Sequence, residues 1–157
     1  MCHYCGCREI PLIRDYIAEH ERATTLGGGA LRALEHGDRH TADRLVVEMA
    51  GELRSHWRGE ENGVFVVMAE ADDLYVDYVG TLAAEHRALE AFLERIDLGD
   101  PADVQRLRRE MADLRDHIAR EEDGLFPATL VTLDGPGWNR AMAAWAEAHP
   151  DHRPAIG

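Results

Sequence analysis

Residues 56–65 read HWRGEENGVF and residues 117–126 read HIAREEDGLF, so one phrase is written twice in a chain of 157 residues. The copies share the histidine, two consecutive glutamates, the glycine and the final phenylalanine. In both, the first glutamate follows the histidine by four positions, and residues at i and i+4 lie on the same face of a helix. The two pairs are His56 with Glu60 and His117 with Glu121. The repeat therefore predicts two helix faces that each present an imidazole and a carboxylate.

Apolar residues recur in alternating steps of three and four along most of the chain, which is typical of amphipathic helices. We predict four long helices, at residues 9–35, 40–69, 73–97 and 101–130. Between them lie glycines, aspartates and a proline that suit helix ends, in His36-Gly37-Asp38, Ala71-Asp72-Asp73 and Gly99-Asp100-Pro101. Such short connections favour an all-α fold, namely an antiparallel up-down four-helix bundle.

The remaining segments flank this bundle. We expect a Cys-rich N-terminal tail at residues 1–8, the bundle at 9–130, and a C-terminal segment at 131–157. Within the last, Gly135-Pro136-Gly137 is interpreted as a stop, followed by a short extra helix at about 138–148 that packs Trp138, Met142 and Trp145. The glycine run at 27–29 either bends the first helix or lets another helix approach it closely.

Each apolar stripe is interrupted by a histidine, and the predicted turns place these histidines at one level. In an antiparallel hairpin, two residues are level when the turn lies midway between them. The midpoints are position 38 for His20 and His56, position 71 for His56 and His86, and between 101 and 102 for His86 and His117. All three midpoints fall on a predicted turn. The four imidazoles are therefore expected to converge on one layer of the bundle.

A single histidine on an apolar stripe is more often a hydrogen-bonded core residue than a metal ligand. A layer of four imidazoles and two carboxylates is different, because burying it without a partner costs a large free energy. Nitrogen and oxygen donors without sulfur suit Zn, Fe, Mn or Ni. Six donors are more than one tetrahedral zinc ion can bind. The set favours two ions.

The candidate ligands are His20, His56, Glu60, His86, His117 and Glu121, with Glu90 as a second-tier candidate four residues after His86. Glu61 and Glu122 are expected to be solvated, or at best to support the ligands.

This ordered set resembles the hemerythrin-like, or HHE cation-binding, family over roughly residues 9–130. The short Cys-rich start also resembles actinobacterial members of that family. The resemblance implies two non-haem iron ions, oxo- or hydroxo-bridged, that bind or react with O2, H2O2 or NO. Catalase-like or peroxidase-like decomposition of peroxide is one implied activity. The implied ligand set is His20 and His56 on one iron, His86 and His117 on the other, and Glu60 and Glu121 as bridges.

Two positions depart from the oxygen-carrying members of the family. Glu90 stands where they have a second histidine on the third helix, and Glu122 stands where they have an aspartate. One histidine fewer and one carboxylate more predict a harder site that favours ferric iron. Reversible oxygen carriage is therefore not the expected function.

The amino-acid composition limits the classes of binding partner that are expected. The chain has 30 acidic and 17 basic residues and a formal net charge of −13, which disfavours nucleic acid and anionic membrane surfaces. No signal peptide is recognised, and Cys2, Cys5 and Cys7 are too close together to form a disulfide framework, so a reducing cytoplasm is expected. We expect a monomer or weak homodimer with a small-molecule ligand.

Three alternatives stay open from the sequence. The cysteines could form a tail metal site with His3, although a redox-sensitive tail fits their spacing better. The whole chain could instead be an iron buffer. It could also be a metal-free or zinc-stabilised interaction module whose acidic face binds a partner.

Overall fold

The computed structural model describes residues 6–151, and this part of the chain consists of helices joined by short turns, with no strand. The helices are α1 (Pro11–Glu35), α2 (Arg39–Glu60), α3 (Val66–Ala71), α4 (Val76–Arg95), α5 (Pro101–Arg120), α6 (Phe126–Thr132) and α7 (Gly135–Ala148). Short 3-10 turns form at Cys7–Glu9 and Asp73–Tyr75. Among residues 6–151, no helix combines the length and hydrophobicity that a membrane span requires.

The three predicted turns between the long helical segments are confirmed. Gly37 follows α1 with a φ of 73°, a conformation that glycine adopts without steric cost. Three aspartates accept hydrogen bonds from backbone N–H groups at the starts of the next elements. They are Asp38, which accepts from Thr41, Asp72, which accepts from Leu74, and Asp100, which accepts from Ala102. The turns used to align the histidines therefore lie where the sequence predicts them.

The repeated phrase contains a feature that the apolar spacing does not predict. Residues 40–69 and 101–130 were each expected to form one regular helix, but a π-helical turn interrupts both, at Glu61–Phe65 and Glu121–Leu125. Each π turn begins next to, or at, the glutamate of its phrase. A π turn widens the helix locally and changes the direction of the side chains that follow. Such an insertion is invisible to a search for a 3.6-residue period.

The glycine run does not bend the first helix, because α1 is continuous through residues 27–29. Gly27 instead serves close packing. A Cβ atom added there would lie 2.3 Å from Cε of Met111 and 2.9 Å from Sδ of Met49. Of the two interpretations, close approach is the one that the structure supports.

The last helix, α7, begins earlier than predicted. Gly135-Pro136-Gly137 is its first turn rather than a stop, because Asp134 accepts a hydrogen bond from the N–H of Gly137 and proline is well suited to a first helical turn. Trp145 is buried and Trp138 is half-buried, but Met142 is 36% exposed. The buried face is mainly alanine, which allows close packing against α2 and the first π turn.

The helices enclose two apolar clusters. α1 contacts α2 and α5, and α4 contacts α2 and α5. One cluster includes Met49, Leu53, Leu107 and Met111, and the other includes Ile13, Tyr16, Phe65, Leu125 and Phe126. Along each long segment, the candidate metal ligands come between the residues of these two clusters. Cys7 is buried beside α1, whereas Cys2, His3 and Cys5 lie outside the described residues.

Candidate metal centre

Six of the seven predicted ligands come together between the apolar clusters. Each of the six has at most 3% of its surface exposed. They form two groups whose potential ligand atoms all lie within 4.8 Å of one another. One group is His20, His56, Glu60 and Glu121, and the other is Glu60, His86, His117 and Glu121. The two glutamates of the repeated phrase therefore belong to both groups.

The Nε2 atoms of the four imidazoles face the two shared carboxylates. His56 Nε2 lies 3.0 Å from Glu60 Oε1, and His86 Nε2 lies 3.4 Å from Glu60 Oε2. The corresponding distances to Glu121 Oε1 are 3.2 Å from His20 and 3.3 Å from His117. Each carboxylate thus contacts at least one imidazole of each group, and Glu60 Oε1 also lies 3.7 Å from Nε2 of His20.

The outer ring nitrogens, Nδ1, face a second set of carboxylates. The distances are 2.8 Å for His20 to Glu122, 3.2 Å for His56 to Glu19, 3.3 Å for His117 to Glu85, and 3.6 Å for His86 to Glu61. The last distance is too long for a hydrogen bond. An imidazole that donates its Nδ1–H outward keeps the Nε2 lone pair for a cation at the centre. Glu122, Glu19 and Glu85 therefore hold His20, His56 and His117 in an orientation that would suit metal binding.

This outer set was only partly predicted. Glu122 was interpreted mainly as a surface residue, but its side chain is 13% exposed and holds His20. Glu19 and Glu85 were not identified at all. The sequence does contain a signal for them, since Ala-Glu-His occurs at residues 18–20 and again at 84–86. The internal repeat therefore includes the outer carboxylates Glu19 and Glu85 as well as the candidate ligands His20 and His86.

The atoms that face the centre test whether a cation fits there. Both carboxylate oxygens of Glu60 and Glu121, and Nε2 of His20 and His56, are buried without a hydrogen-bond partner in residues 6–151. A buried polar atom without a partner costs about 1–3 kcal/mol, and more when it is charged. Bound cations would satisfy these oxygen and nitrogen lone pairs together. The donor set therefore fits a metal centre.

Comparison with known families agrees with this geometry. The family model of the hemerythrin HHE cation binding domain matches residues 12–129. The chain belongs to the hemerythrin HHE family. Comparisons with curated proteins and with solved structures gave no match. Helix α7 lies outside the matched residues, so its contacts with the HHE domain are described by the structure alone.

The HHE domain keeps opposite charges next to each other in the buried layer. Burial lowers the pKa of His20, but the nearby carboxylates of Glu121 and Glu122 outweigh burial and raise this pKa well above its ordinary value. Burial also opposes the charge on His56, yet the negative charge of Glu60 helps to raise its pKa to about 9. Without metal, protons on the imidazoles therefore supply the positive charge that the carboxylates require.

Aromatic rings cover two of the candidate ligands of the HHE domain. The final phenylalanine of each phrase stacks on a histidine of the other half of the repeat: Phe65 on His86, with ring centroids 5.5 Å apart, and Phe126 on His20, 6.0 Å apart. Trp57 also stacks on His86, at 4.9 Å. The phenylalanines at the ends of the two phrases are therefore packing residues that cover the imidazoles.

Glu90, the seventh candidate, is not brought into either group of the HHE domain. It is half-buried and borders a surface depression with Arg54, Arg58 and Asn62. The neighbouring Leu89 is buried in the apolar core. Although Glu90 follows His86 by four residues, the helix turns it away from the layer that the other six side chains share.

Proposed function

We propose that α1, α2 with α3, α4, and α5 with α6 form an antiparallel up-down four-helix bundle around the polar layer. The contacts between α1 and α2 support this arrangement. Glu19 contacts His56, and Arg22 contacts Glu52, so residue numbers rise along one helix as they fall along the other. The short turns between successive segments are consistent with the same topology.

We propose further that this centre holds two non-haem iron ions and binds or reacts with O2, H2O2 or NO. The observation that carries the proposal is the sharing of Glu60 and Glu121, whose buried oxygens have no hydrogen-bond partner in residues 6–151, by both groups. Two carboxylates that serve two groups of imidazoles are candidates to bridge a pair of ions. Imidazole and carboxylate donors suit iron.

The chain's own residues prepare the centre for that chemistry. When bound, non-haem iron supplies one-electron chemistry and reactivity towards oxygen species. The outer carboxylates Glu19, Glu85 and Glu122 hold the Nδ1 protons, so the imidazoles present Nε2 inward. Phe65 and Phe126 limit the access of water, and the negative charges of Glu60 and Glu121 offset the charge of the cations.

Metal analysis with optical and activity measurements tests this function. We expect about two iron ions per chain, absorption in the near ultraviolet and visible, a change in this spectrum on adding peroxide or NO, and release of oxygen from peroxide. Far more than two ions per chain would indicate an iron buffer instead. A zinc-only or metal-free protein would indicate the interaction module. If the iron-loaded protein shows no change with O2, H2O2 or NO, the reactivity is wrong although metal binding stands.

A further inference from the structure

The two halves of the centre receive unequal support from the rest of the protein. In the first half, the outer carboxylate Glu19 has a fully buried side chain and contacts three groups. It accepts a hydrogen bond from Nε1–H of Trp145 at 2.8 Å and lies 2.9 Å from Nε2 of His149 and 3.2 Å from Nδ1 of His56. Trp145 stacks on His149, with ring centroids 4.2 Å apart. Residues outside the matched HHE domain thus hold the carboxylate that orients a ligand.

The second ligand of this half is also well supported. The Nδ1 atom of His20 lies 2.8 Å from Glu122, and Arg8 donates a hydrogen bond to the same carboxylate, also at 2.8 Å. Both imidazoles of the first half therefore have a hydrogen-bonded outer carboxylate, and each of these carboxylates has a further partner.

The corresponding contacts in the second half are more exposed. Glu85, the repeat equivalent of Glu19, is 37% exposed, and its partner Arg120 is 43% exposed. Exposed ion pairs contribute only about 0–1 kcal/mol. Nδ1 of His86 has no hydrogen-bond partner in residues 6–151. Although Nε2 of His86 lies 3.0 Å from Nε2 of His117, the outer nitrogens of this half therefore have weaker hydrogen-bond support than those of His20 and His56.

The second half also borders a cavity of about 340 Å³ beside α4 and α5. His86 and His117 are among its lining residues, whereas His20 and His56 are not. The wall carries four carboxylates, of Glu85, Glu110, Asp113 and Asp116, and one basic side chain, Arg120. A cavity that is lined by carboxylates and reaches two ligands offers a path for a cation, because negative walls raise the local concentration of cations.

From this asymmetry we propose that the two metal positions differ in affinity and exchange. The His20 and His56 position binds a divalent cation first and tightly, because Trp145 and His149 act as positioning residues through Glu19. The His86 and His117 position binds second, and its cation exchanges through the cavity. This inference rests on the proposed two-metal centre. Loss of an outer hydrogen-bond partner typically weakens metal binding 10- to 100-fold, which sets the expected separation between the two steps.

Titration of the metal-free, full-length protein with Co²⁺ tests the affinities. Competition with a chelator gives the dissociation constants, and mass spectrometry counts the bound ions. We expect two steps that differ by about 10- to 100-fold. Trp145→Phe keeps most of the ring volume but removes the N–H donor. It should weaken the tight step by the same factor and shift the visible Co²⁺ bands of that step. The matched control Trp138→Phe, on the same helix, should reproduce the wild type.

Exchanging the outer carboxylates assigns each step to its half. Glu19→Gln should weaken the tight step, and Glu85→Gln should weaken the loose one. The proposal is overturned if Glu85→Gln weakens the tight step, if Trp145→Phe behaves like Trp138→Phe, or if the wild-type steps are equal. A wild-type protein that binds no Co²⁺ or Fe²⁺ would instead refute the metal centre itself.

The exchange path has a separate test. Ala88 lines the cavity, and Ala88→Phe would fill part of it without replacing a ligand. We expect this variant to release its loosely bound Co²⁺ to a chelator at least several times more slowly than the wild type, with an unchanged tight step. Equal release rates would show that the cation leaves by another path and would overturn this part of the proposal.

Discussion

At the scale of single residues, the partners of each side chain separate a metal ligand from an ordinary buried polar group. His149 is buried but contacts a backbone carbonyl and a carboxylate, which explains its position without a cation. Glu60 and Glu121 are also buried, and their four oxygens have no hydrogen-bond partner in the described chain. Positive charge nearby, from protonated imidazoles or from the proposed cations, lowers the free-energy cost of burying these carboxylates.

The first prediction concerns the shared carboxylates. Glu121→Gln should lose most of the bound metal, because the variant removes a negative charge that faces both groups of imidazoles. The matched variant Glu90→Gln, on the half-exposed side of α4, should retain about two ions per chain. Elemental analysis of the purified proteins measures both results. Loss of an ion from Glu90→Gln would restore Glu90 to the ligand set, and full metal content in Glu121→Gln would refute the assignment.

At the scale of elements, the repeated phrase combines a ligand pair with a π turn. Each turn follows the last α-helical residues of α2 or α5 and leads to the phenylalanine that stacks on a histidine of the other half. The glycine that the two phrases share, Gly63 in the first and Gly124 in the second, lies in the π turn and admits a close neighbour. A Cβ added at Gly63 would lie 3.2 Å from the backbone oxygen of Ala141 in α7, and one at Gly124 would lie 3.0 Å from the hydroxyl of Tyr78.

The second prediction follows from the contact between the first π turn and α7. Gly63→Leu should destabilise the protein by roughly 1–3 kcal/mol, because the side chain would press against the backbone of Ala141. In the matched variant Gly80→Leu, the new Cβ meets no atom within 4 Å. Because leucine has a higher helix propensity than glycine, this variant should be more stable than the wild type by up to about 1 kcal/mol. Urea unfolding of both variants measures the difference. Equal stabilities would show that α7 does not pack tightly on this turn.

At the scale of the whole molecule, two apolar clusters enclose a layer of charge. The apolar clusters stabilise the fold through burial, whereas the metal-free layer depends on protons shared between imidazoles and carboxylates. The net charge of −13 adds repulsion across the molecule. Bound cations would replace the protons in the layer and would reduce the repulsion from the net negative charge. The cytoplasmic location, the oligomeric state and the absence of nucleic-acid partners stay predictions from the sequence.

The third prediction concerns removal of the metal. Chelation should lower the free energy of unfolding substantially, since a ligand present at about 1,000 times its dissociation constant contributes about 4 kcal/mol. Helical content should be largely retained at low temperature, because the apolar clusters remain. Denaturant unfolding with and without a chelator, followed by circular dichroism, measures the change. The variant Glu121→Gln should be insensitive to the chelator, and a wild-type midpoint that the chelator does not shift would contradict the prediction.

Local signals in the sequence predict the helices, their turns and the six side chains that meet in the buried layer. Apolar periodicity, capping aspartates and Gly37 are local signals, and the turn midpoints convert them into one level for His20, His56, His86 and His117. The π turns, the partners of the outer carboxylates and the role of α7 emerge only from the tertiary structure. These depend on contacts between distant segments, such as Trp145 with Glu19, for which no local period exists. For the same reason, the spacing of Glu90 from His86 suggested a ligand, whereas packing of the helix placed it outside the layer.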